Sequence, residues 1–116
     1  MSIDSKSLTL EEYNQFFLRM LSVLGEEKYS QLAYWPFEDI SIDELSLQFY
    51  KFQNDQILKK SFVKYAHIHI NKKKNYLIIE GFLNLIKIFE SLERYEDCVI
   101  LKGIKDSILI DLKPVV

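Results

Sequence analysis

Apolar side chains recur at every third or fourth position along most of this sequence, which is the spacing of one face of an α-helix. The pattern is clearest in the first segment, at Leu10, Tyr13, Phe17, Met20 and Leu24. Glycine and proline, which interrupt helices, number only three and two among 116 residues. Such a shortage of turn residues favours long helices over a β-sandwich, because the many short strands of a sandwich need frequent turns.

Capping-box patterns at 9–12 and 41–44 mark two helix starts, since each has a hydroxyl residue followed three positions later by Glu. The hydroxyl and the carboxylate then satisfy free amides at the start of a helix. We predict a first helix over Leu10–Leu24 and a second, short helix that begins near Ile42. Gly25 is predicted to end the first helix in the left-handed conformation that glycine tolerates.

The segment at 64–82 allows two interpretations. Residues 65–70 alternate between polar and apolar and residues 71–75 resemble a turn, so a β-hairpin at 64–79 is one alternative. The favoured alternative is two helices, one capped by Asp55 and one from Tyr76 to Leu92, in which Gly81 marks a close helix–helix approach. The second of these helices would carry one apolar stripe, formed by Leu77, Phe82, Leu85, Ile86, Phe89 and Leu92.

The last helix is predicted from Tyr95 to about Leu109, with Cys98, Leu101, Ile104 and Ile108 as its buried seam. The stretch at 85–104 resembles the helical hairpins of tetratricopeptide repeats and of UvrB/UvrC-type motifs. The residues that carry this resemblance are Leu92, Tyr95, Glu96, Cys98, Leu101 and Lys102. The resemblance implies an antiparallel pair of helices and no particular function.

These patterns together predict an all-α protein, a compact bundle of about five helices in a single domain over 1–116, ending in an antiparallel helical hairpin. The alternative is an α+β fold with a small β-hairpin at 64–79. No apolar run is long enough to cross a bilayer, and charges at Asp4 and Lys6 interrupt the N-terminus before any signal-peptide pattern. The single cysteine, Cys98, can form no internal disulfide, so we expect a cytoplasmic protein without a membrane partner.

Catalytic and metal-binding patterns are weak in this sequence. His67 and His69 would share a face only in a strand, and a zinc site needs three or four ligands. Cys98 lies on a predicted apolar seam, where cysteine behaves as a small hydrophobic residue. Four acidic doublets lie at positions where adjacent carboxylates diverge on a helix. We therefore predict that the protein is not an enzyme and has no metal or cofactor.

Charge is unevenly distributed, because residues 1–55 hold ten acidic and four basic residues and the remainder holds seven acidic and eleven basic ones. The acidic-aromatic segment, residues 34–52, places six aromatic side chains among four carboxylates. Aromatic anchors among carboxylates suit a basic protein partner, although the two halves of the chain could also simply complement each other within one fold. The predicted partner-binding residues are Trp35, Phe37, Glu38, Asp39, Asp43 and Tyr50.

The resulting hypothesis is a small protein that binds and regulates or inhibits another protein, such as an immunity protein, a phage or bacterial inhibitor, or an adaptor. An alternative is a nucleic-acid-binding module that contacts phosphates through Lys59, Lys60, Lys64, Lys72, Lys73 and Lys74. It is less favoured, because the chain is net acidic and has only two arginines. A third hypothesis is a self-associating structural subunit that uses the apolar stripe between Leu77 and Phe89. The sequence leaves the oligomeric state open.

Overall fold

Five α-helices make up most of the computed structural model, which describes residues 9–70 and 72–112. The helices are α1 (Leu10–Leu24), α2 (Ile42–Gln53), α3 (Gln56–His69), α4 (Tyr76–Ser91) and α5 (Tyr95–Leu112), with short 3-10 helices at Glu27–Tyr29 and Lys72–Lys74. The described residues contain no strand, so the all-α prediction is confirmed and the alternative β-hairpin at 64–79 is not supported.

The helix starts follow the predicted capping residues. The Thr9 hydroxyl accepts a hydrogen bond from the Glu12 amide at 3.2 Å, and the Glu12 carboxylate accepts one from the Thr9 amide at 3.1 Å. At the start of α2 the Ser41 hydroxyl accepts from the Glu44 amide, but the predicted return bond from the Ser41 amide to the Glu44 carboxylate is not formed, so only half of this capping box is present. One oxygen of Asp55 accepts from two amides in the first turn of α3. Each cap satisfies amides that a helix leaves without an internal partner.

Gly25 does end α1, but the predicted left-handed conformation is wrong. Its φ of −74° and ψ of −12° lie in the ordinary right-handed helical region. A Cβ atom at this position would overlap the backbone carbonyl of Leu77 in α4. The chain therefore needs glycine here because two backbones meet, and the left-handed region plays no part.

The turn between α4 and α5 forms the predicted antiparallel hairpin. Glu93 adopts a positive φ of 59°, and the amides of Glu93 and Arg94 donate to the carbonyls of Glu90 and Phe89. These bonds are the Schellman pattern that closes a helix C-terminus, with glutamate where glycine is usual. Cys98 of α5 then lies against the Ile86 carbonyl of α4, as two antiparallel helices require.

Helices α1 and α4 pack with their backbones in close approach at Gly81, as the sequence predicted. A Cβ atom at Gly81 would overlap the carbonyl oxygen of Leu21 and lie 2.8 Å from its carbonyl carbon. Phe82, Leu85 and Phe89 on the same helix are completely buried. The apolar stripe of α4 therefore faces the core over most of its length, whereas its predicted last member, Leu92, is exposed.

An aromatic cluster joins the first three helices. The ring of Phe17 lies 5.3 Å from that of Phe49, 5.1 Å from that of Phe52 and 6.3 Å from that of Phe62, measured between centroids. Tilted and edge-on contacts at these distances are favourable arrangements for aromatic rings. The predicted seam of α5 contributes Leu101, Ile104 and Ile108 to the same buried core, and Cys98 is half-buried.

Two buried asparagines satisfy polar groups inside the bundle. Asn84 donates to the carbonyl of Leu24 at 2.6 Å, close to the point where α1 ends. Asn14 donates to the Ser61 hydroxyl at 2.8 Å and so joins α1 to α3. Within 9–70 and 72–112, no helix combines the length and the apolar character that crossing a bilayer requires.

Candidate protein-binding surface

Trp35 and Phe37 hold the loop that precedes α2. The indole N–H of Trp35 donates to the carbonyl of Ile40 at 2.8 Å. The indole ring lies 5.2 Å from the Phe37 ring and 6.0 Å from the ring of Phe89, which is a core residue of α4. Both loop aromatics are half-buried. These contacts fix the loop against the helical bundle.

The same loop presents its other predicted residues to solvent. Glu38 and Asp39 are exposed, and Tyr34, just before the loop aromatics, is 65% exposed. Because the indole of Trp35 bonds across the loop to Ile40, the backbone between them is held at both ends. The two carboxylates therefore project from a loop whose conformation is set by contacts with the core.

Three exposed side chains lie on the outer face of α2. Asp43, Leu47 and Tyr50 occur at spacings of four and three residues, which place them on one side of a helix. The Asp43 side chain is 81% exposed, Leu47 is 49% exposed and Tyr50 is 54% exposed. The sequence identified Asp43 and Tyr50 but missed Leu47, although its position between them gave the signal. We use the name acidic-aromatic surface for Tyr34, Glu38, Asp39, Asp43, Leu47 and Tyr50.

Arg94 connects this surface to α5, a role that the sequence patterns did not indicate. Its guanidinium contacts the Asp43 carboxylate at 2.8 Å and the Asp97 carboxylate at 2.7 Å. It also donates to the Ser46 hydroxyl, which in turn donates to Asp97. Asp97 lies three residues after Arg94, so this part of the network was visible in the sequence, whereas the pairing with α2 was not.

This network contains one positive charge, on Arg94, and two negative charges, on Asp43 and Asp97. Burial lowers the pKa of Arg94, but hydrogen bonds and attraction from Asp97 and Asp43 outweigh that effect and leave the pKa raised. The guanidinium therefore stays charged and neutralises one of its two carboxylates. A net negative charge therefore remains where the N-terminal turn of α2 meets α5. The exposed carboxylate of Asp43 presents this charge to solvent.

Tyr50 also lines a cleft of about 580 Å³ at the other end of α2. Its walls come from α1, α2 and α3 and mix aromatic, aliphatic and polar side chains: Leu10, Tyr13, Tyr50, Lys51, Asn54, Asp55 and Leu58. Burial raises the pKa of the Tyr13 hydroxyl above its ordinary value. The acidic-aromatic surface thus ends at a concave region, which is the shape that receives an anchoring side chain.

The predicted phosphate-binding lysines lie along α3 and the 3-10 helix that follows. Lys60, Lys64, Lys73 and Lys74 are exposed, and Lys59 is half-buried. The side chain of Lys72 lies outside the described residues. Two exposed isoleucines, Ile57 and Ile68, lie among these lysines on α3.

The two histidines lie on α3 and the cysteine lies on α5. His67 and His69 are about 200° apart around α3, and the ring of His69 lies 4.1 Å from the ring of Tyr65. Burial, followed by the charges of Glu90 and Asp97, raises the pKa of the Cys98 thiol. In the part of the chain that the structure describes, no three His, Cys, Asp or Glu side chains are grouped as metal ligands would be.

Glu38 and Asp39 are thus exposed on the loop, and Asp43 and Tyr50 are exposed on α2, whereas Trp35 and Phe37 are half-buried and pack against each other. Comparison of this chain with models of protein families, with curated proteins and with solved structures gives no match.

Proposed function

We propose that this protein is a non-catalytic binding protein that regulates or inhibits a basic protein partner through its acidic-aromatic surface. The observation that carries the proposal is the outer face of α2, where Leu47 and Tyr50 are each about half exposed beside the exposed carboxylate of Asp43. A partner that covers both apolar side chains gains their burial, which is worth about 25 cal/mol for each Å² of apolar surface removed from water.

The carboxylates give the surface its preference for a basic partner. Glu38, Asp39 and Asp43 are exposed and carry the same sign of charge, and Arg94 leaves one carboxylate of its network unbalanced. Exposed like charges speed the approach of an oppositely charged protein and exclude acidic competitors, while the apolar contacts supply most of the affinity. A nucleic-acid-binding or nucleolytic protein has the basic surface that this arrangement fits.

The support from Trp35 favours binding without a large rearrangement. Its bond to the Ile40 carbonyl and its packing on Phe89 fix the loop before any partner arrives. Preorganised surfaces lose less conformational freedom on binding, so more of the contact energy appears as affinity. A cytoplasmic location belongs to the same proposal, because Cys98 can form no internal disulfide and an oxidising compartment offers the fold no benefit.

Affinity purification from the cells that encode the protein tests the proposal. The test variant combines Glu38→Lys with Tyr50→Ala, which reverses one charge and removes one anchor at exposed positions. The matched control combines Glu80→Lys with Tyr76→Ala, which makes the same two changes at exposed positions of α4. Co-purified proteins are then quantified by mass spectrometry.

We expect a basic protein that co-purifies with the wild type and with the control, and whose recovery falls at least about tenfold with the test variant. Equal recovery with all three proteins would reject the acidic-aromatic surface as the binding site. Loss of the partner with the control as well would show that the effect comes from misfolding or from general charge, and circular dichroism of each variant separates these two causes.

A further inference from the structure

The outer face of α3 carries two exposed isoleucines with lysines between them. Ile57 is 72% exposed and Ile68 is 67% exposed. They lie eleven residues apart, which is three helical turns and about 16 Å along the axis. Lys60 and Lys64 fall on the same side of the helix, between the two isoleucines, and both are exposed. We call these four residues the basic stripe.

The basic stripe has the character of a protein-binding surface. Neither Lys60 nor Lys64 takes part in an ion pair within the described residues, so both ammonium groups are available to a partner. Phosphate contacts would use the lysines and leave both isoleucines in water, since nucleic-acid backbones are recognised mainly through charge. An occupant that uses all four residues must be acidic and apolar together.

The chain itself carries a surface of that description on the neighbouring helix. Asp43, Leu47 and Tyr50 form a stripe on the outer face of α2, which we call the acidic stripe. It offers two large apolar side chains and an exposed carboxylate, with a net negative charge left by the Arg94 network. The two stripes are therefore complementary both in charge and in their apolar content.

We propose that the acidic stripe of one copy of this protein packs against the basic stripe of a second copy. Two acidic stripes repel each other and so do two basic stripes, so only the mixed contact is favourable. Consecutive helices, joined at Asn54 and Asp55, carry the two stripes, and each copy therefore supplies both halves of the contact. Where one partner covers both stripes at once, the same contact forms twice about a two-fold axis and closes the assembly as a dimer.

This inference goes beyond the proposed function and does not depend on it. The acidic stripe is part of the acidic-aromatic surface, so self-association and binding of a basic partner exclude each other. Association of copies would then hold the surface covered until a partner with a more complementary basic face displaces the second copy. The fraction of free surface would depend on protein concentration and on salt.

Sedimentation velocity of the purified full chain tests the contact. We expect the wild type to sediment as a monomer of 13.8 kDa when dilute and as a larger species at about 0.5 mM protein in about 50 mM salt. Raising the salt to about 0.5 M should weaken association, because the Debye length falls to about 4 Å. Leu47→Lys and Lys64→Glu should each raise the dissociation constant at least about tenfold.

Mixing the two variants gives the sharpest outcome. The Leu47→Lys protein keeps an intact basic stripe and the Lys64→Glu protein keeps an intact acidic stripe. An equimolar mixture should therefore associate at concentrations where each variant alone is monomeric. The matched controls are Tyr76→Lys and Lys87→Glu, which make the same kinds of change at exposed positions of α4 and should associate like the wild type.

Three results would overturn the inference: a wild type that stays monomeric at about 0.5 mM in low salt, controls that weaken association as much as the stripe variants do, or a mixture that stays monomeric. A monomeric wild type whose binding to a short DNA duplex is lost in Lys64→Glu would assign the lysines to nucleic acid instead. Failure of partner capture at concentrations where the chain is monomeric, with self-association still seen at higher concentration, would reject only the proposed function.

Discussion

Replacing Gly81 with alanine should destabilise the protein, although the same change usually stabilises a helix. Gly81 lies inside α4, where alanine is favoured over glycine by about 1 kcal/mol. In this fold, however, the new Cβ atom would overlap the carbonyl oxygen of Leu21 and lie 2.8 Å and 2.9 Å from its carbonyl carbon and Cα. Helix propensity and steric overlap therefore act in opposite directions at this position.

The steric effect should dominate, because the atoms in the way belong to the backbone of α1. A side chain can rotate away from an added methyl group, whereas a helix backbone moves only if α1 and α4 separate. Overpacking typically costs 1–3 kcal/mol, and the rigid neighbour places this case near about 3 kcal/mol. After subtraction of the helix gain, the free energy of unfolding should fall by about 2 kcal/mol. For a domain of this size the Tm should fall by roughly 8 °C.

Gly103→Ala is the matched control. Gly103 lies within α5, is exposed, and would place its Cβ atom with nothing within 4 Å. Only the propensity effect remains, so this variant should gain about 0.5–1 kcal/mol in the free energy of unfolding. Thermal and urea unfolding followed by circular dichroism measure both changes. If Gly81→Ala proves neutral or stabilising, the close packing of α1 and α4 described above is refuted.

Three further substitutions and one labelling experiment test other features. Asn84→Ala leaves the buried carbonyl of Leu24 without its donor, and the free energy of unfolding should fall by about 1–3 kcal/mol in urea titrations; a loss below about 0.5 kcal/mol would show that water replaces the amide. Asp55→Ala removes the cap of α3 and should lower the free energy of unfolding by about 1 kcal/mol in the same assay. An unchanged free energy of unfolding would contradict the capping role of Asp55. Glu93→Gly relieves a positive φ and should raise the Tm in thermal melts, and a lower Tm would argue against the strained turn. Burial raises the pKa of Cys98, so at pH 8 its thiolate fraction is reduced; iodoacetamide should alkylate it more slowly than a free thiol, and faster as the pH rises or urea unfolds the chain. Equal rates in native and unfolded protein would contradict that burial.

The helices were predictable because their signals are local. The predicted bounds of α1 agree with the structure at both ends, since a capping box starts it and Gly25 follows its last residue. The structural reason for a glycine at position 25 was not predictable. A left-handed helix end and a close contact between two backbones both require glycine, so the sequence looks the same in either case. Only the position of Leu77, more than fifty residues later, distinguishes the two.

The candidate site was only partly predictable, because some of its contacts join residues that are far apart in the sequence. Exposed acids and the helical spacing of Asp43 and Tyr50 could be read from the sequence. The role of Trp35 could not, because its partner Phe89 belongs to a helix that the loop meets only in the folded chain. Arg94 was missed because it joins side chains of α2 and α5 across about fifty residues.

The contact between Trp35 and the core has a practical consequence. Trp35 is the single tryptophan of the chain, so all indole emission originates from the loop beside the acidic-aromatic surface. Its half-buried ring and its bond to Ile40 make the emission wavelength sensitive to any opening of that loop. The unlabelled protein thus carries its own optical reporter, and titration of a non-fluorescent ligand would register occupancy of this region directly.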